Sequence, residues 1–182
     1  LDKLETILFV HPNMEYGGSE RQLLNLVAGI SRRSRATVLV ALYEYSGPLL
    51  RELTELKKVK VYNLEKHSSG HISTLFNLIS IIRNNRVNII YGFLVGPNLF
   101  GLVAGKLAGV KTIVWGNRVS SFTPRDFGLK GIVAALLLKY TSRLVDVIVS
   151  NSVVGQLENE KRFISGKRNS VIWNGIDTKK FR

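Results

Sequence analysis

Short apolar runs alternate along the chain with longer segments in which apolar residues recur every three or four positions. The short runs are rich in β-branched and aromatic residues, which favours β-strands. The longer segments have the spacing of amphipathic helices. The predicted strands span residues 6–10, 36–42, 59–64, 87–91, 110–115, 145–149 and 170–173, and the predicted helices lie around residues 23–30, 72–79, 99–107, 132–140 and 154–163.

This alternation predicts the fold class. Strands that are apolar along nearly their whole length need cover on both faces, and strand–helix alternation produces right-handed crossovers between parallel strands. We therefore predict one doubly wound, Rossmann-like α/β domain with a parallel sheet of about seven strands. The domain is expected to occupy residues 1–172, and residues 173–182 to begin an interdomain linker.

Composition narrows the functional classes. The 182 residues include no cysteine, which excludes disulfides, thiolate catalysis and cysteine-bound metals. The longest uninterrupted apolar run, residues 132–138, is too short to span a bilayer. The net charge of +13 is compatible with nucleic acid, an anionic membrane or phosphorylated substrates as partners, or with solubility alone. We expect a cytoplasmic protein.

The distribution of charge argues against nucleic acid. The basic residues are scattered in small groups, and no basic-aromatic ribonucleoprotein motif accompanies them. We expect no nucleic-acid partner, and a basic module that binds nucleic acid or an anionic surface is the alternative function.

A pair of glycines, Gly17 and Gly18, follows the first predicted strand. Ligands of open α/β sheets bind beyond the carboxyl ends of the strands, and glycine lets a ligand approach the backbone closely. Ser19 and Gln22 have the spacing of a capping box, so Ser19 is predicted to start the helix. A helix N-terminus attracts anions, so we expect a phosphate or diphosphate, although a simple tight turn would also explain the glycines. Neither the G-x-G-x-x-G fingerprint nor the P-loop motif is present.

Three stretches together resemble the N-terminal domain of retaining GT-B glycosyltransferases of family 4. The first contains the GG-x-E loop of that family, the second its aspartate-containing strand and helix start, and the third its N-G-v-D-x-x-x-F ending. In this chain they read ILFVHPNMEYGGSERQLLNLVAGI, LVDVIVSNSVVGQ and VIWNGIDTKKF.

The resemblance implies one half of a two-domain enzyme. The N-terminal half mostly binds the acceptor, and a C-terminal half, expected to be absent here, holds the nucleotide-sugar donor. Such a hexosyltransferase moves a sugar, with retention, onto a glycan or lipid-linked acceptor in polysaccharide or glycolipid synthesis. The resemblance implies that this half alone is inactive and holds no cofactor, and we expect no metal in it.

The resemblance also implies roles for particular residues. Gly17 and Gly18 would place backbone N–H groups near the donor diphosphate, and Glu20 and Arg21 are candidate acceptor or phosphate contacts. Glu20 could instead serve only the helix N-terminus, and Arg21 could simply be solvated.

The loop at residues 116–122 departs from the family, because many relatives have a histidine where this chain has Asn117 and Arg118. These two residues are therefore the candidate catalytic residues. Arg118 could hold a phosphate bidentately or pair with Asp126.

Other polar positions have simpler interpretations. Asn98 is predicted to cap the helix after the fourth strand, where the glycines of residues 92–98 suggest close approach by an acceptor. Asn151 and Ser152 are predicted to cap the helix that follows the sixth strand. His11 is expected to be a hydrogen-bonded polar residue at the cleft edge. His67 and His71 lie in a predicted loop without metal-ligand spacing.

The apolar stretch at residues 127–145 contains only three charged residues, all of them basic. A core helix against the sheet explains it, and so does peripheral association with an anionic membrane.

Overall fold

The computed structural model describes residues 5–64, 70–117 and 128–175. Its seven strands form one parallel sheet in the order β3-β2-β1-β4-β5-β6-β7. The strands are β1 (Thr6–His11), β2 (Thr37–Leu42), β3 (Val59–Asn63), β4 (Ile89–Phe93), β5 (Thr112–Asn117), β6 (Val147–Ser150) and β7 (Arg168–Val171). The predicted Rossmann-like parallel sheet is confirmed.

The strand order reverses between β1 and β4. The chain runs outward from β1 through β2 to β3, then returns to place β4 on the other side of β1, with Val10 paired to Gly92. In open α/β sheets a crevice forms where the order reverses, outside the carboxyl ends of the two strands. The loops that follow β1 and β4 therefore flank this crevice.

Helices cover both faces of the sheet. They are α1 (Gly18–Arg33), α2 (Leu50–Thr54), α3 (His71–Asn84), α4 (Val95–Ala108), α5 (Gly128–Thr141) and α6 (Val153–Lys161), with a 3₁₀ turn at Ser142–Leu144. Leu8 and Val10 of β1 pack with α3 and α4, whereas Phe9 packs with α1 and α2. Successive strand residues point to opposite faces, so β1 contributes to two separate cores.

Several element ends differ from the predicted ones. Val87 and Val110 are buried, but their amides donate to the carbonyls of Ile82 in α3 and Gly105 in α4. Both valines therefore belong to the turns that follow these helices, and the strands begin after them. Strand β7 starts and ends earlier than predicted, and Ile172 and Trp173 are exposed beyond it. The short helix α2 was not predicted, because five residues are too few to show a helical repeat.

Helix α5 differs from a core helix. Only Gly131 and Leu138 of its residues are buried, although most of the helix is apolar. Among the residues that the structure describes, no helix is long and apolar enough to cross a membrane.

Candidate functional site

The loop between β1 and α1 forms one wall of the crevice. It is anchored by Met14, whose side chain is fully buried. The Met14 amide donates to the Ser46 carbonyl (2.9 Å), and the Met14 carbonyl accepts from the Leu49 amide (3.0 Å). Residues 46–49, between β2 and α2, therefore hold the loop in a fixed position.

Gly47 is essential to that support. Its φ of +106° lies in the region that side chains disfavour, and a Cβ there would overlap the backbone of Met14. The Ser-Gly-Pro sequence at residues 46–48 signals a turn, but sequence reasoning missed this residue because its overlap with Met14 depends on a distant part of the chain.

The N-cap of helix α1 lies two residues before Ser19, the predicted N-cap. This N-cap is Gly17, in extended conformation, and no side chain caps the helix. Ser19 lies inside the first turn and donates to Glu20 Oε2 (2.9 Å), so the predicted capping box is wrong. The first N–H groups of a helix have no acceptor within the helix. The α1 N-terminus therefore presents backbone donors and a partial positive charge to the crevice.

The two glycines of this loop have different surroundings. A Cβ on Gly17 would overlap the Glu20 carboxylate, which folds back over this position, whereas a Cβ on Gly18 would meet nothing within 4 Å. Gly17 makes room for Glu20, and Gly18 leaves the backbone open to a ligand. A carboxylate at a helix N-terminus is itself favourable, so Glu20 occupies a place suited to anions.

His11, at the carboxyl end of β1, is fully buried behind Glu20. The Asn13 carbonyl can only accept, so His11 Nδ1 carries a hydrogen and donates to it (2.7 Å). Nε2 lies 3.9 Å from Glu20 Oε1 and has no hydrogen-bond partner among the described residues. The expectation of a fully hydrogen-bonded histidine is met at one ring nitrogen only. Burial lowers the pKa of His11, against the opposing effects of the Asn13 carbonyl and the Glu20 charge.

Because its pKa is lowered in the folded state, His11 should make the protein less stable in mild acid. Below an ordinary histidine pKa of about 6.5 the unfolded chain takes up a proton that the folded chain binds less readily, so the free energy of unfolding should fall as the pH drops below about 6.5. Urea unfolding at several pH values measures this. The dependence should weaken in His11→Gln and persist in His71→Gln, which alters an exposed histidine. Equal pH dependence of the free energy of unfolding in both variants would show that His11 is not its source.

Arg21 points to the neighbouring helix. Its Nη1 lies 3.1 Å from Glu52 Oε2 and 3.2 Å from Glu52 Oε1, on the exposed surface between α1 and α2. The candidate contact to an acceptor or phosphate would have to compete with this ion pair.

The loop after β4 is strained and tightly packed. Leu94 has φ 72° and ψ 172°, a combination that residues other than glycine rarely adopt and that clusters at functional sites. A Cβ on Gly92 would lie 2.7–2.8 Å from atoms of Pro97 and Asn98. Gly92 therefore serves the packing of α4 on β4, which explains this glycine without an acceptor, and the close approach of an acceptor stays a prediction. A Cβ on Gly96, in contrast, would meet nothing within 4 Å, so the space beside Gly96 is open.

Asn98 is not a cap. It lies inside α4, donates from Nδ2 to the Gly116 carbonyl (3.3 Å) and accepts the Trp115 Nε1 hydrogen at its own carbonyl (2.8 Å). It therefore ties α4 to the end of β5. Ser152, in contrast, caps α6 as predicted, because its Oγ accepts from the Gly155 amide (3.0 Å).

Asn117 is the last residue of β5 and pairs with Ser150 of β6, so it lies at the same edge of the sheet as Gly17 and Leu94. Arg118, Asp126 and His67 lie outside the described residues. In the described ranges, no group of three or more histidine, aspartate or glutamate side chains is arranged to hold a metal ion.

A family model described as Glycosyltransferase Family 4 matches residues 16–180. The chain belongs to Glycosyltransferase Family 4. The match begins just before the glycine pair and extends through the N-G-I-D motif, which confirms the family that the sequence resembles. No match was found among curated protein sequences.

Solved structures show the same fold. Anabaena HepE in complex with UDP and glucose has a TM-score of 0.70 at 20% identity, over 96% of this chain and 46% of HepE. A glycosyltransferase from Rickettsia africae ESF-5 has a TM-score of 0.70 at 21% identity, over 98% of this chain and 45% of its own. Acinetobacter baumannii MurG has a TM-score of 0.56 at 16% identity, over 80% of this chain and 41% of MurG. This family 4 chain thus spans about half the length of these structures and has the fold of one half of a GT-B glycosyltransferase.

The structure of this family 4 domain also adds a contact that the sequence did not reveal. Gln22 pairs with the backbone of Gly175, not with Ser19 as a capping box requires. Its position three residues after Ser19 suggested a local role, and only the return of the chain after β7 brings Gly175 to it.

Proposed function

We propose that the chain is the acceptor-side half of a retaining glycosyltransferase that transfers a hexose from a nucleotide sugar to a glycan or lipid-linked acceptor. The observation that carries this proposal is the uncapped N-terminus of α1 at the crevice of a family 4 domain. HepE, a protein of the same fold, is known in complex with UDP and glucose. This supports a nucleotide sugar as the donor.

The glycine loop would contribute to donor binding through its backbone. The N–H groups at Gly17, Gly18 and Ser19 lie where helix N-termini hold phosphates, and Gly18 leaves them accessible. Charge on the diphosphate grows as the bond to the sugar breaks, so such donors act most strongly on the leaving group in the transition state. In this proposal Glu20 moves aside, because its carboxylate would repel a diphosphate at the same place.

The other candidate residues complete the proposed site. Asn117, the last residue of β5, and Arg118, the next residue in the sequence, would face the reacting sugar, and Arg118 would add a cation suited to phosphate oxygens. The acceptor would enter beside the open Gly96 and the strained Leu94. The donor's nucleotide and sugar would be held by a second domain outside residues 1–182. We propose no cofactor or metal in this half.

The test is transfer or hydrolysis by the longer protein. The chain extended by the second half of its gene product should hydrolyse one nucleotide sugar from a panel that varies both base and sugar, and residues 1–182 alone should hydrolyse none. Addition of glycan or lipid-linked acceptors should raise the rate. A well-folded longer protein that acts on no donor with any acceptor class would refute the proposal.

We further propose that the domain works at an anionic membrane surface, through the outer face of α5. Leu129 and Tyr140 are 76% and 68% exposed, and Leu136 and Leu137 are about half exposed. Basic residues accompany them, with Lys139 Nζ 4.7 Å from the ring centroid of Phe163, which is also exposed. An exposed apolar stripe with adjacent cations, in a chain of net charge +13, suits binding to an anionic interface.

Vesicle sedimentation tests this surface. The chain should bind vesicles of phosphatidylglycerol and phosphatidylcholine more than about tenfold better than phosphatidylcholine alone, and salt should weaken the binding. Tyr140→Glu should reduce the binding strongly, because it places a carboxylate in the stripe. Phe76→Glu is the matched control, since Phe76 is 66% exposed but lies on α3. Equal loss in both variants, or salt-insensitive binding, would contradict a specific role for α5.

A further inference from the structure

A side chain of α1 holds the segment by which the chain leaves the sheet. Gln22 Nε2 donates to the Gly175 carbonyl (2.8 Å), and the Gly175 amide donates to Gln22 Oε1 (2.9 Å). Asn25, one turn further along α1, adds a hydrogen bond from Nδ2 to the same carbonyl (3.3 Å). Both polar groups of one peptide backbone residue are thus bound by one side-chain amide.

Such a pair fixes direction as well as position. A primary amide that donates and accepts at the same residue must lie nearly coplanar with it, as in the bonding between strands. Glutamine meets this requirement uniquely here: a glutamate keeps only the acceptor, and an asparagine is one methylene shorter. The contact therefore depends on the identity of residue 22.

Burial of the neighbouring side chains does little to hold this segment. Trp173 is 68% exposed and Ile172 is 58% exposed. Beside them, along α1, runs a groove of about 510 Å³, with Leu26, Ile30 and Tyr91 among its other lining residues. The hydrogen bonds to α1 therefore add a restraint on where residue 175 lies.

The same helix turn joins two functional parts of the molecule. Gln22 lies four residues after Gly18, the first residue of α1, and Gly175 is the last residue that the structure describes, past the last strand. We propose that Gln22, supported by Asn25, is a positioning residue that orients the outgoing chain, and hence the second domain, relative to the α1 N-terminus. This inference rests on the proposed function in so far as it concerns the second domain.

Hydrogen exchange at the Gly175 amide tests the contact directly. In the 182-residue chain, Gln22→Ala should speed the exchange of this amide about tenfold, as expected when its hydrogen bond is lost. Gln22→Glu should keep part of the protection, because the carboxylate still accepts from the Gly175 amide. Gln156→Ala is the matched control, since Gln156 is partly buried like Gln22 but its partner, Glu160, is on its own helix. Unchanged exchange at Gly175 in Gln22→Ala would overturn the inference.

Kinetics of the longer protein test the positioning role. If fewer molecules hold the two domains in the productive arrangement, the apparent affinity for the donor falls by the same factor. Gln22→Ala should raise the donor KM about tenfold with little change in kcat, and Gln22→Glu should restore part of the loss. Faster exchange at Gly175 with an unchanged KM would overturn the positioning role. A longer protein without transfer activity would refute the proposed function and the positioning role together, whereas the exchange result would still decide whether the contact exists.

Discussion

Gly47→Ala should destabilise the protein by about 3 kcal/mol, as the sum of two penalties. A left-handed backbone angle costs a residue with a Cβ roughly 1–2 kcal/mol, and forcing that Cβ into a packed backbone costs about 1–3 kcal/mol more. The φ of Gly47 is +106°, and the atoms in the way belong to the Met14 backbone, which has no rotamer to change. Urea unfolding of the 182-residue chain measures the effect.

Gly109→Ala separates the two penalties. Gly109 ends α4 with φ +75° and has nothing within 4 Å of its ideal Cβ, so only the backbone term applies. We expect a loss of about 1 kcal/mol. Equal losses at Gly47 and Gly109 would mean that the overlap with Met14 is relieved cheaply and that the loop before α1 is less rigid than the structure indicates.

Gly17→Ala and Gly18→Ala should each lower kcat/KM of the longer protein for its nucleotide-sugar donor by about a hundredfold, because the added methyl group would keep the diphosphate away from the backbone N–H groups, and loss of one such donor typically costs that much. Neither change should disturb the fold. Gly17 has an extended backbone that any residue adopts, and the group its Cβ would meet is the flexible end of Glu20. Gly18 has open space around it. Steady-state kinetics measure the loss of kcat/KM, and urea unfolding of the same variants measures whether the fold is unchanged.

The control for this prediction is Gly29→Ala, on the same helix. Gly29 also has nothing within 4 Å of its ideal Cβ, but it lies three turns from the crevice. Alanine there should stabilise the protein by about 0.5–1 kcal/mol, because glycine is a poor helix former, and should leave transfer unchanged. Full activity in the Gly17 and Gly18 variants would show that these glycines serve only the turn.

Glu20 occupies the place proposed for the diphosphate, so it must move before the diphosphate binds. Its carboxylate lies over Gly17, where a diphosphate would be drawn by the helix N-terminus, and close to the buried His11. The GG-x-E sequence thus has a structural use before any ligand arrives: the first glycine makes room for the carboxylate, which favours the helix by its charge.

Local sequence was misleading where a side chain had a distant partner. Ser19 and Gln22 have the spacing of a capping box, but Gln22 binds Gly175 across the domain. Asn98 follows a strand as a cap would, but the helix starts earlier and Asn98 joins it to β5. In both cases the competing partner is more than fifteen residues away, so no local pattern could reveal it.

The strand order β3-β2-β1-β4-β5-β6-β7, and with it the crevice between β1 and β4, came only from the tertiary structure. The sequence by itself determined the class of fold, the number of strands and the edge of the sheet at which ligands bind. Those properties follow from the period of the apolar residues and from the rule that ligands bind at the carboxyl ends of parallel strands, and both can be read locally. Only the tertiary structure decided which polar atoms meet. It placed Glu20 over Gly17, Met14 against Gly47, Arg21 on Glu52 and Gly175 on Gln22. Such contacts depend on how the elements pack against each other and on where distant parts of the chain meet. The spacing of apolar residues along the sequence does not encode either of these.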